Sequence, residues 1–189
     1  MPTDTNHIVA AAIVDDPKNP TKILAAARAY PPELRGKLEL PGGKQQTHET
    51  PTSALHREIA EELNITVRIH QEITPPPPIT PTYPKTPPKT TETATTVPTV
   101  LASEANAEAE VANTTVCSPS QTPATWPLPG GKTMRVWVAE IASGRPQKTS
   151  AHLELTWLPL AGAPAANWLE PDLPIIAALQ KSTENDNAS

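Results

Sequence analysis

Residues 43–65 read GKQQTHETPTSALHREIAEELNI, and this stretch decides the fold because it predicts one well-bounded helix. Thr50 supplies a hydroxyl suited to an N-cap, and Pro51 follows at the first helical position, where its missing N–H has no cost. Asn64 predicts the helix end, since asparagine tolerates the left-handed conformation of a C-terminal cap. The helix is therefore predicted over 51–63, and an apolar stripe marks its buried face: Leu55, Ile59 and Leu63.

Three carboxylates share the helix face opposite this apolar stripe: Glu58, Glu61 and Glu62. Such side chains repel one another unless cations lie among them, and hard oxygen donors on a rigid element suit Mg²⁺ or Mn²⁺. Glu49, in the loop before the helix, can reach the same place, and Arg57 can hold a carboxylate through two hydrogen bonds. The competing interpretation is a solvated, glutamate-rich helix face, which is the commoner reason for such a triplet.

The spacing of these residues separates the two interpretations. Gly43 is followed at fixed intervals by Glu49, the triplet Arg57-Glu58-Ile59, the pair Glu61-Glu62, and Ile65. This pattern resembles the Nudix box, in which glycine, glutamate, Arg-Glu-aliphatic and Glu-Glu occur at the same intervals. It would arise by chance in a chain of this length about once in a million. Asn64 stands where the family has glycine, a departure that affects only the helix end.

The resemblance extends over nearly the whole chain apart from a proline-rich middle. Residues 23–44, 133–141, 152–157 and 167–180 look like their counterparts in MutT-type nucleoside triphosphate pyrophosphohydrolases of the Nudix family. For the fold, the resemblance implies the α/β class, as an α/β/α sandwich with a mixed sheet. For the activity, it implies Mg²⁺-dependent attack of water on a phosphorus of a nucleoside triphosphate, with release of the monophosphate and pyrophosphate.

The resemblance also implies roles for the residues of the box. Glu58, Glu61 and Glu62 would coordinate the metal, and the carbonyl of Gly42 would be a further ligand. Glu58 would also be the base for the attacking water. Metal ions neutralise the triphosphate and lower the pKa of bound water, and a carboxylate within hydrogen-bond reach takes the proton. Two residues would orient the metal ligands: Glu49 and Arg57.

Outside the box the resemblance points to further positions, each with a structural alternative. Glu154 resembles the distal metal-binding acid of many relatives, although His152 is close enough to be the functional group instead; the structural alternative is an exposed strand residue. Arg28 resembles a residue that contacts the nucleotide, and the competing interpretation is a generic arginine at a strand end. Asp172 falls where relatives place an Asn or Asp against the base edge, and it is equally suited to a helix N-cap. Trp137 either stacks under the base or lies in the core.

The remaining elements are predicted from hydrophobic periodicity. Residues 7–14 form a nearly continuous apolar run suited to a strand buried on both faces, and residues 22–28 suit a partner strand, together a hairpin. Asp172 and Pro174 open a final helix. Residues 128–132 repeat the sequence LPGGK without the acidic pattern behind it, which favours a turn. Further strands are predicted at 37–40, 65–69, 133–141 and 153–160.

Proline is concentrated in the middle of the chain. Of 25 prolines in 189 residues, 13 lie between Pro75 and Pro129, together with many threonines. This composition favours extended, solvated backbone, so residues 74–129 are predicted to be a disordered, low-complexity loop insertion, with at most a transient helix at 102–112. Residues 183–189 are predicted to be a disordered tail. The whole chain, 1–189, is predicted to be a single domain interrupted by the insertion.

Charge and hydropathy restrict the partners. A net charge of −5 argues against a nucleic-acid polymer, and no stretch approaches the ~18 consecutive apolar residues of a membrane span. The expected partner is a small nucleotide in the cytoplasm, either 8-oxo-dGTP or a cytosine nucleotide such as dCTP or CTP, in nucleotide-pool sanitation. The alternatives are hydrolysis of ADP-ribose or another nucleoside diphosphate derivative, and nucleotide binding without turnover. The Pro/Thr-rich insertion is a candidate for a protein partner that reads polyproline II.

Overall fold

The computed structural model of the chain describes residues 7–77 and 124–186. These residues form a mixed α/β fold, which confirms the predicted class. None of their helices is long and apolar enough to cross a membrane. In chain order the elements are β1 (His7–Ile13), β2 (Lys22–Arg28), β3 (Leu38–Glu39), β4 (Gly42–Lys44), α1 (Pro51–Leu63), β5 (Thr66–Ile73), β6 (Trp126–Leu128), β7 (Lys132–Ser143), β8 (His152–Pro159) and α2 (Leu173–Asp186).

Two sheets lie at the centre of the fold. The first has the order β4-β1-β7-β5, with β6 paired to β7. It is mixed, because β1 and β7 run parallel while β4, β5 and β6 run antiparallel to the strands they pair with. The second sheet has the order β3-β2-β8 and is antiparallel throughout. Parallel pairing of β1 with β7 joins the beginning of the domain to the segment beyond the proline-rich stretch.

The predicted hairpin of the first two strands is wrong. β1 and β2 belong to different sheets and share only one isolated bridge, between Val14 and Ile23. The reason lies in their composition, because both strands are buried on both faces along almost their whole length. A two-stranded hairpin leaves each strand with an unpaired edge, whereas here β1 lies between β4 and β7, and β2 lies between β3 and β8.

The two helices cover opposite faces of the first sheet. Val9, Ala11 and Ile13 of β1 contribute to the core cluster that contains the α1 stripe, and the alternate residues Ala10 and Ala12 contribute to the cluster beneath α2. The predicted stripe of α1 is confirmed as fully buried, and each such side chain is worth about 1.5–3 kcal/mol of burial free energy. The buried residues of α2 are Ile175, Ile176 and Leu179.

Both ends of α1 form as the sequence predicts. The Thr50 hydroxyl accepts a hydrogen bond of 3.1 Å from the Ser53 N–H, which satisfies one of the free N–H groups of the first turn. Asn64 adopts the left-handed conformation, with φ 55° and ψ 38°, and its N–H donates to the Ala60 carbonyl. The helix that carries the box residues is therefore held at both ends by local chemistry.

The boundaries of the proline-rich stretch differ from the prediction at its far end. β6 begins at Trp126, whose Nε1 donates a 2.7 Å hydrogen bond to the Ile73 carbonyl at the end of β5, so regular structure resumes before residue 129.

The turn predicted at 128–132 is confirmed, since residues 129–131 connect paired Leu128 and Lys132. α2 extends through residue 186, beyond the predicted start of the tail at 183. Residues 78–123, with the helix predicted at 102–112, lie outside the described residues.

Candidate active site

Arg57, in the middle of α1, is the centre of a hydrogen-bonded group. Its Nε and Nη2 donate to the two carboxylate oxygens of Glu49, at 2.7 and 3.0 Å, in a bidentate pair. Its Nη1 donates to Glu58 at 2.8 Å and lies 3.3 Å from Glu61. Nη2 also donates to the Lys44 carbonyl at 3.0 Å. One guanidinium thus joins the loop before the helix to two of its three acidic side chains.

The electrostatics of Glu49 follow from this contact. Hydrogen bonds from Arg57, reinforced by the Gln46 N–H at 3.0 Å, lower the pKa of the Glu49 carboxyl. The hydrogen bonds that Arg57 donates to Glu49 and Glu58 raise the pKa of its guanidinium. Glu49 is therefore an anion held against Arg57 by two hydrogen bonds.

Two glycines bring the β4 backbone against the acidic face of α1. Gly42 donates its N–H to Glu62 at 3.1 Å. Gly43 leaves the space that Glu58 occupies, because a Cβ at position 43 would lie 2.2 Å from the Glu58 Oε2. The first glycine of the box is thus explained sterically, by close approach of a carboxylate to the backbone.

Glu62 differs from its two acidic neighbours in its surroundings. Burial raises the pKa of the Glu62 carboxyl to about 7, against the opposing effects of nearby His152 and the Gly42 hydrogen bond. Glu61 is the most exposed of the three, with 60% of its side-chain surface accessible. The helix therefore presents a gradient from a solvated carboxylate to a half-buried one.

The donor atoms of the acidic face are of the kind that a divalent cation prefers. They are carboxylate oxygens on one rigid helix, beside the backbone of Gly42, and hard cations such as Mg²⁺ or Mn²⁺ prefer such ligands. Within the described ranges no three acidic, histidine or cysteine side chains converge on one point. The glutamates are instead held separately, Glu58 and Glu61 by Arg57 and Glu62 by the Gly42 amide.

A cavity of about 370 Å³ opens beside this acidic face. One part of its wall is polar and contains Gly42, Gly43 and Glu62. The remainder is largely apolar and includes Leu40, Met134 and Leu169. A cavity with a charged part and an apolar part suits a ligand that joins a phosphate group to a flat organic ring.

Asp172 lies in the wall of the same cavity and is 95% buried. Its backbone carbonyl accepts the N–H groups of Ile175 and Ile176 at 3.0 Å, as expected of a residue at the start of α2. Burial raises the pKa of its side chain to about 7, although a hydrogen bond from the Leu40 N–H opposes the shift. Asp172 therefore both precedes the first turn of α2 and lines the cavity.

Comparison with known proteins identifies the family. A model of the NUDIX domain matches residues 5–135, which contain the whole acidic helix. The chain belongs to the Nudix family. The fold is similar to that in the solution structure of the E. coli ORF135 protein, which superposes with a TM-score of 0.58 at 20% identity over 97% of this chain and 94% of that one. At this identity the likeness concerns the fold.

Two curated relatives resemble this Nudix chain more closely over a shorter stretch. A putative 8-oxo-dGTP diphosphatase 2 of Mycobacterium tuberculosis is 50% identical over 60 residues, 32% of this chain and 40% of the relative. An 8-oxo-dGTP diphosphatase of Proteus vulgaris is 41% identical over 61 residues, 32% of this chain and 52% of the relative. The chain spans about half the length, or less, of these relatives.

The two candidates for the residue outside the box differ in their surroundings. Glu154 is exposed, pairs with Ala27 and does not line the cavity, and its role as a metal ligand stays a prediction. His152 is 96% buried, pairs with Arg28 and lines the cavity. A register shift between Ala27 and Arg28 causes the difference, because it changes which β8 residue faces the site.

Arg28 lines the cavity, but several of its donors are already engaged. Its Nη1 pairs with Glu39, and its Nε donates to the Tyr30 carbonyl at 2.9 Å. Glu39 is also 3.4 Å from the His152 Nε2. Sequence reasoning missed Glu39, although its position two residues before Pro41-Gly42 in a strand leading into the box was the available signal.

The stacking role predicted for Trp137 does not fit this structure. Trp137 is 95% buried in the core cluster with α1, and it does not line the cavity. Strand alternation is the reason, since Met134 of β7 lines the cavity, whereas Arg135 and Trp137 point to the other face. The Arg135 guanidinium lies 4.8 Å from the centre of the Trp137 ring. Trp137 is therefore a core residue, the second of the two positions predicted for it.

Proposed function

We propose that this Nudix protein hydrolyses nucleoside triphosphates to the monophosphate and pyrophosphate. The supporting observation is the position of Glu62, held by the Gly42 amide on the acidic helix face, in the polar part of a cavity whose remaining wall is largely apolar. This arrangement suits a ligand with phosphates at one end and a base at the other. The names of the M. tuberculosis and P. vulgaris relatives support the same reaction class.

The proposed cofactor is Mg²⁺, with Mn²⁺ as a substitute. Glu58, Glu61, Glu62 and the Gly42 carbonyl would hold it, and when bound it neutralises phosphate charge and makes water more acidic. Glu58 is proposed to accept the proton of the attacking water, since it is a carboxylate oriented on both sides, by Arg57 and by the Gly43 backbone. Arg57 and Glu49 act through Glu58 as positioning residues.

The proposed substrates are 8-oxo-dGTP and cytosine nucleotides, in a cytoplasmic role of nucleotide-pool sanitation. Asp172 supports this choice because its carboxylate accepts a hydrogen bond from an exocyclic amine such as that of cytosine. In the protonated form, which its raised pKa favours, it also donates a hydrogen bond and can serve an oxidised purine. Arg28 is proposed to contribute positive charge to the same cavity.

Product analysis over a substrate panel tests this proposal. The purified chain would be incubated with Mg²⁺ and with normal, methylated and oxidised triphosphates or ADP-ribose, and products would be separated chromatographically. The expected result is pyrophosphate and monophosphate from 8-oxo-dGTP or a cytosine nucleotide. Cleavage of ADP-ribose without pyrophosphate release from any triphosphate would show that the substrate class is wrong.

Arg57→Lys is expected to lower kcat by about 10- to 100-fold, the usual loss when a residue that orients a metal ligand is replaced. Lysine keeps the charge but cannot donate to both oxygens of Glu49 while also contacting Glu58. The matched control is Arg68→Lys, which changes an exposed pair with Glu140 on the sheet surface. Steady-state kinetics measure kcat for both variants, and only Arg57→Lys should show the loss. Equal kcat values for the two variants would show that Arg57 has no positioning role.

Asp172→Asn is expected to change how stability depends on pH. Because the folded pKa of Asp172 is raised to about 7 from an ordinary value near 3.8, the folded state binds its proton more tightly. The stabilisation is fully present below the ordinary pKa and is lost as pH rises through about 7. Asparagine keeps a neutral acceptor for the Leu40 N–H and has no proton to lose. Between pH 4 and pH 8 the unfolding free energy of the variant should therefore rise, relative to that of the wild type, by on the order of 3 kcal/mol.

Urea denaturation across this pH range measures the effect directly. The quantity of interest is the difference in unfolding free energy between the wild type and Asp172→Asn, because other titrating groups cancel in it. Asp16→Asn, in an exposed turn, provides the control for removal of one surface carboxylate. Parallel pH curves for the wild type and Asp172→Asn would contradict the raised pKa.

A further inference from the structure

Tyr30 is an exposed aromatic residue in the wall of the cavity. Among large hydrophobic side chains in the described ranges, only Tyr30 and Trp157 are exposed, at 65% and 38%. Tyr30 lines the cavity, and Trp157 does not. Leaving an aromatic ring in water forgoes the burial free energy that such a side chain can contribute, so its position beside a cavity suggests a ligand that covers it.

The backbone around Tyr30 is held by hydrogen bonds while its side chain remains exposed. The Arg28 Nε donates to the Tyr30 carbonyl at 2.9 Å, and an Arg35 guanidinium nitrogen donates to the Ala29 carbonyl at 3.3 Å. The Leu34 N–H donates to the Pro31 carbonyl at 3.0 Å on the other side. These bonds reduce the freedom of the loop, so less entropy is lost when the ring meets a ligand.

Tyr30 also shares the cavity wall with the residue proposed to read the base. It follows the end of β2, and β3 is the next strand of that sheet. On the far edge of β3, the Leu169 N–H donates to the Leu38 carbonyl at 2.8 Å, which brings the segment leading to Asp172 alongside. Tyr30 and Asp172 are thus walls of one cavity with apolar Leu40 and Leu169 in it, which suits a flat, polar-edged ring.

We propose that Tyr30 is the surface on which the nucleobase of the substrate stacks. This inference rests on the proposed function and adds a binding residue to it. Stacking on an aromatic ring tolerates every base, since each has a π-face. Tyr30 therefore increases the affinity for nucleotides over that for phosphate compounds without a base. Discrimination among the bases comes from hydrogen-bonding groups such as Asp172.

Calorimetric binding to the full chain, with Mg²⁺ present, tests the assignment. The probes are the two products dCMP and 8-oxo-dGMP, and pyrophosphate, which has no base. Tyr30→Ala is expected to weaken nucleotide binding by about tenfold, as loss of one stacking partner does, and to leave pyrophosphate binding unchanged. Tyr30→Phe keeps the ring and should bind both nucleotides like the wild type. Trp157→Ala is the matched control, an exposed aromatic outside the cavity.

The outcomes separate this inference from the proposed function. If the wild type binds nucleotides and Tyr30→Ala binds them equally well, Tyr30 has no stacking role and only this inference fails. An equal loss of pyrophosphate affinity in Tyr30→Ala, or an equal loss in Tyr30→Phe, also overturns stacking. If the wild type binds none of the probes and hydrolyses no triphosphate, the proposed function fails and the inference with it. Because Tyr30 is 65% exposed, its replacement should leave the fold intact for these measurements.

Discussion

Replacing Glu58 with glutamine is expected to lower kcat for triphosphate hydrolysis by about 10²- to 10⁴-fold, the usual contribution of a general base. Glutamine has the size of glutamate, so it can occupy the same space against Gly43 and still accept the hydrogen bond from Arg57. It cannot take a proton from water. Nucleotide binding should be largely retained, because the apolar part of the cavity and Asp172 are unchanged. Single-turnover kinetics together with calorimetric binding measure both quantities.

The control for this substitution is Glu33→Gln, an exposed glutamate in the short 3-10 segment Pro32–Leu34. It should retain wild-type kcat, which shows that removal of one negative charge from the surface is not itself the cause. A Glu58→Gln protein that turns over as fast as the wild type would remove Glu58 from the reaction. Loss of nucleotide binding with loss of turnover would instead indicate that Glu58 acts in binding.

Gly42→Ala is expected to cost roughly 3 kcal/mol of stability, or to prevent folding, because it overpacks a buried strand pair. A Cβ at this position would lie 2.1 Å from the Val9 carbonyl oxygen and 2.6 Å from the Ala10 Cα. Both contacts are with backbone of β1, the strand between β4 and β7, so no side chain can turn away to relieve them. The φ of +158° adds to the strain. Urea denaturation measures the loss.

Gly162→Ala is the matched control for Gly42→Ala. No heavy atom lies within 4 Å of a Cβ built at position 162, and its φ is not in the left-handed range. The substitution should leave stability unchanged or raise it by about 0.4–1 kcal/mol through the lower entropy of the unfolded chain. Equal stabilities of the two variants would contradict the close packing of β4 on β1.

The acidic helix could be predicted residue by residue because its signals are local. The cap at Thr50, the left-handed Asn64 and the buried stripe all depend on residues within one or two turns of each other. The pairing of strands could not be predicted in the same way. β1 pairs with β7 through contacts such as that of His7 with Thr133, 126 residues apart, and nothing in residues 7–28 alone distinguishes this from a hairpin.

The same distinction between local and long-range signals applies to the candidate site. The box residues are close in sequence, and their spacing is the basis on which they were predicted. The choice between His152 and Glu154 depends on a register shift that only pairing with β2 reveals. Tyr30 carries no motif, and its place in the cavity follows from how the loop after β2 is held by Arg28. Physical constraints between distant segments therefore determine the part of the cavity that is proposed to meet the base.

The most direct test of the central claim is the stoichiometry of metal-dependent hydrolysis of 8-oxo-dGTP, dCTP and CTP by the wild-type chain. At least one of these triphosphates should yield monophosphate and pyrophosphate in equal amounts when Mg²⁺ is present. The reaction should stop when the metal is chelated and resume when it is restored. Absence of Mg²⁺-dependent pyrophosphate release from every triphosphate, in a protein shown to be folded, would contradict the claim that this Nudix chain is a nucleoside triphosphate pyrophosphohydrolase.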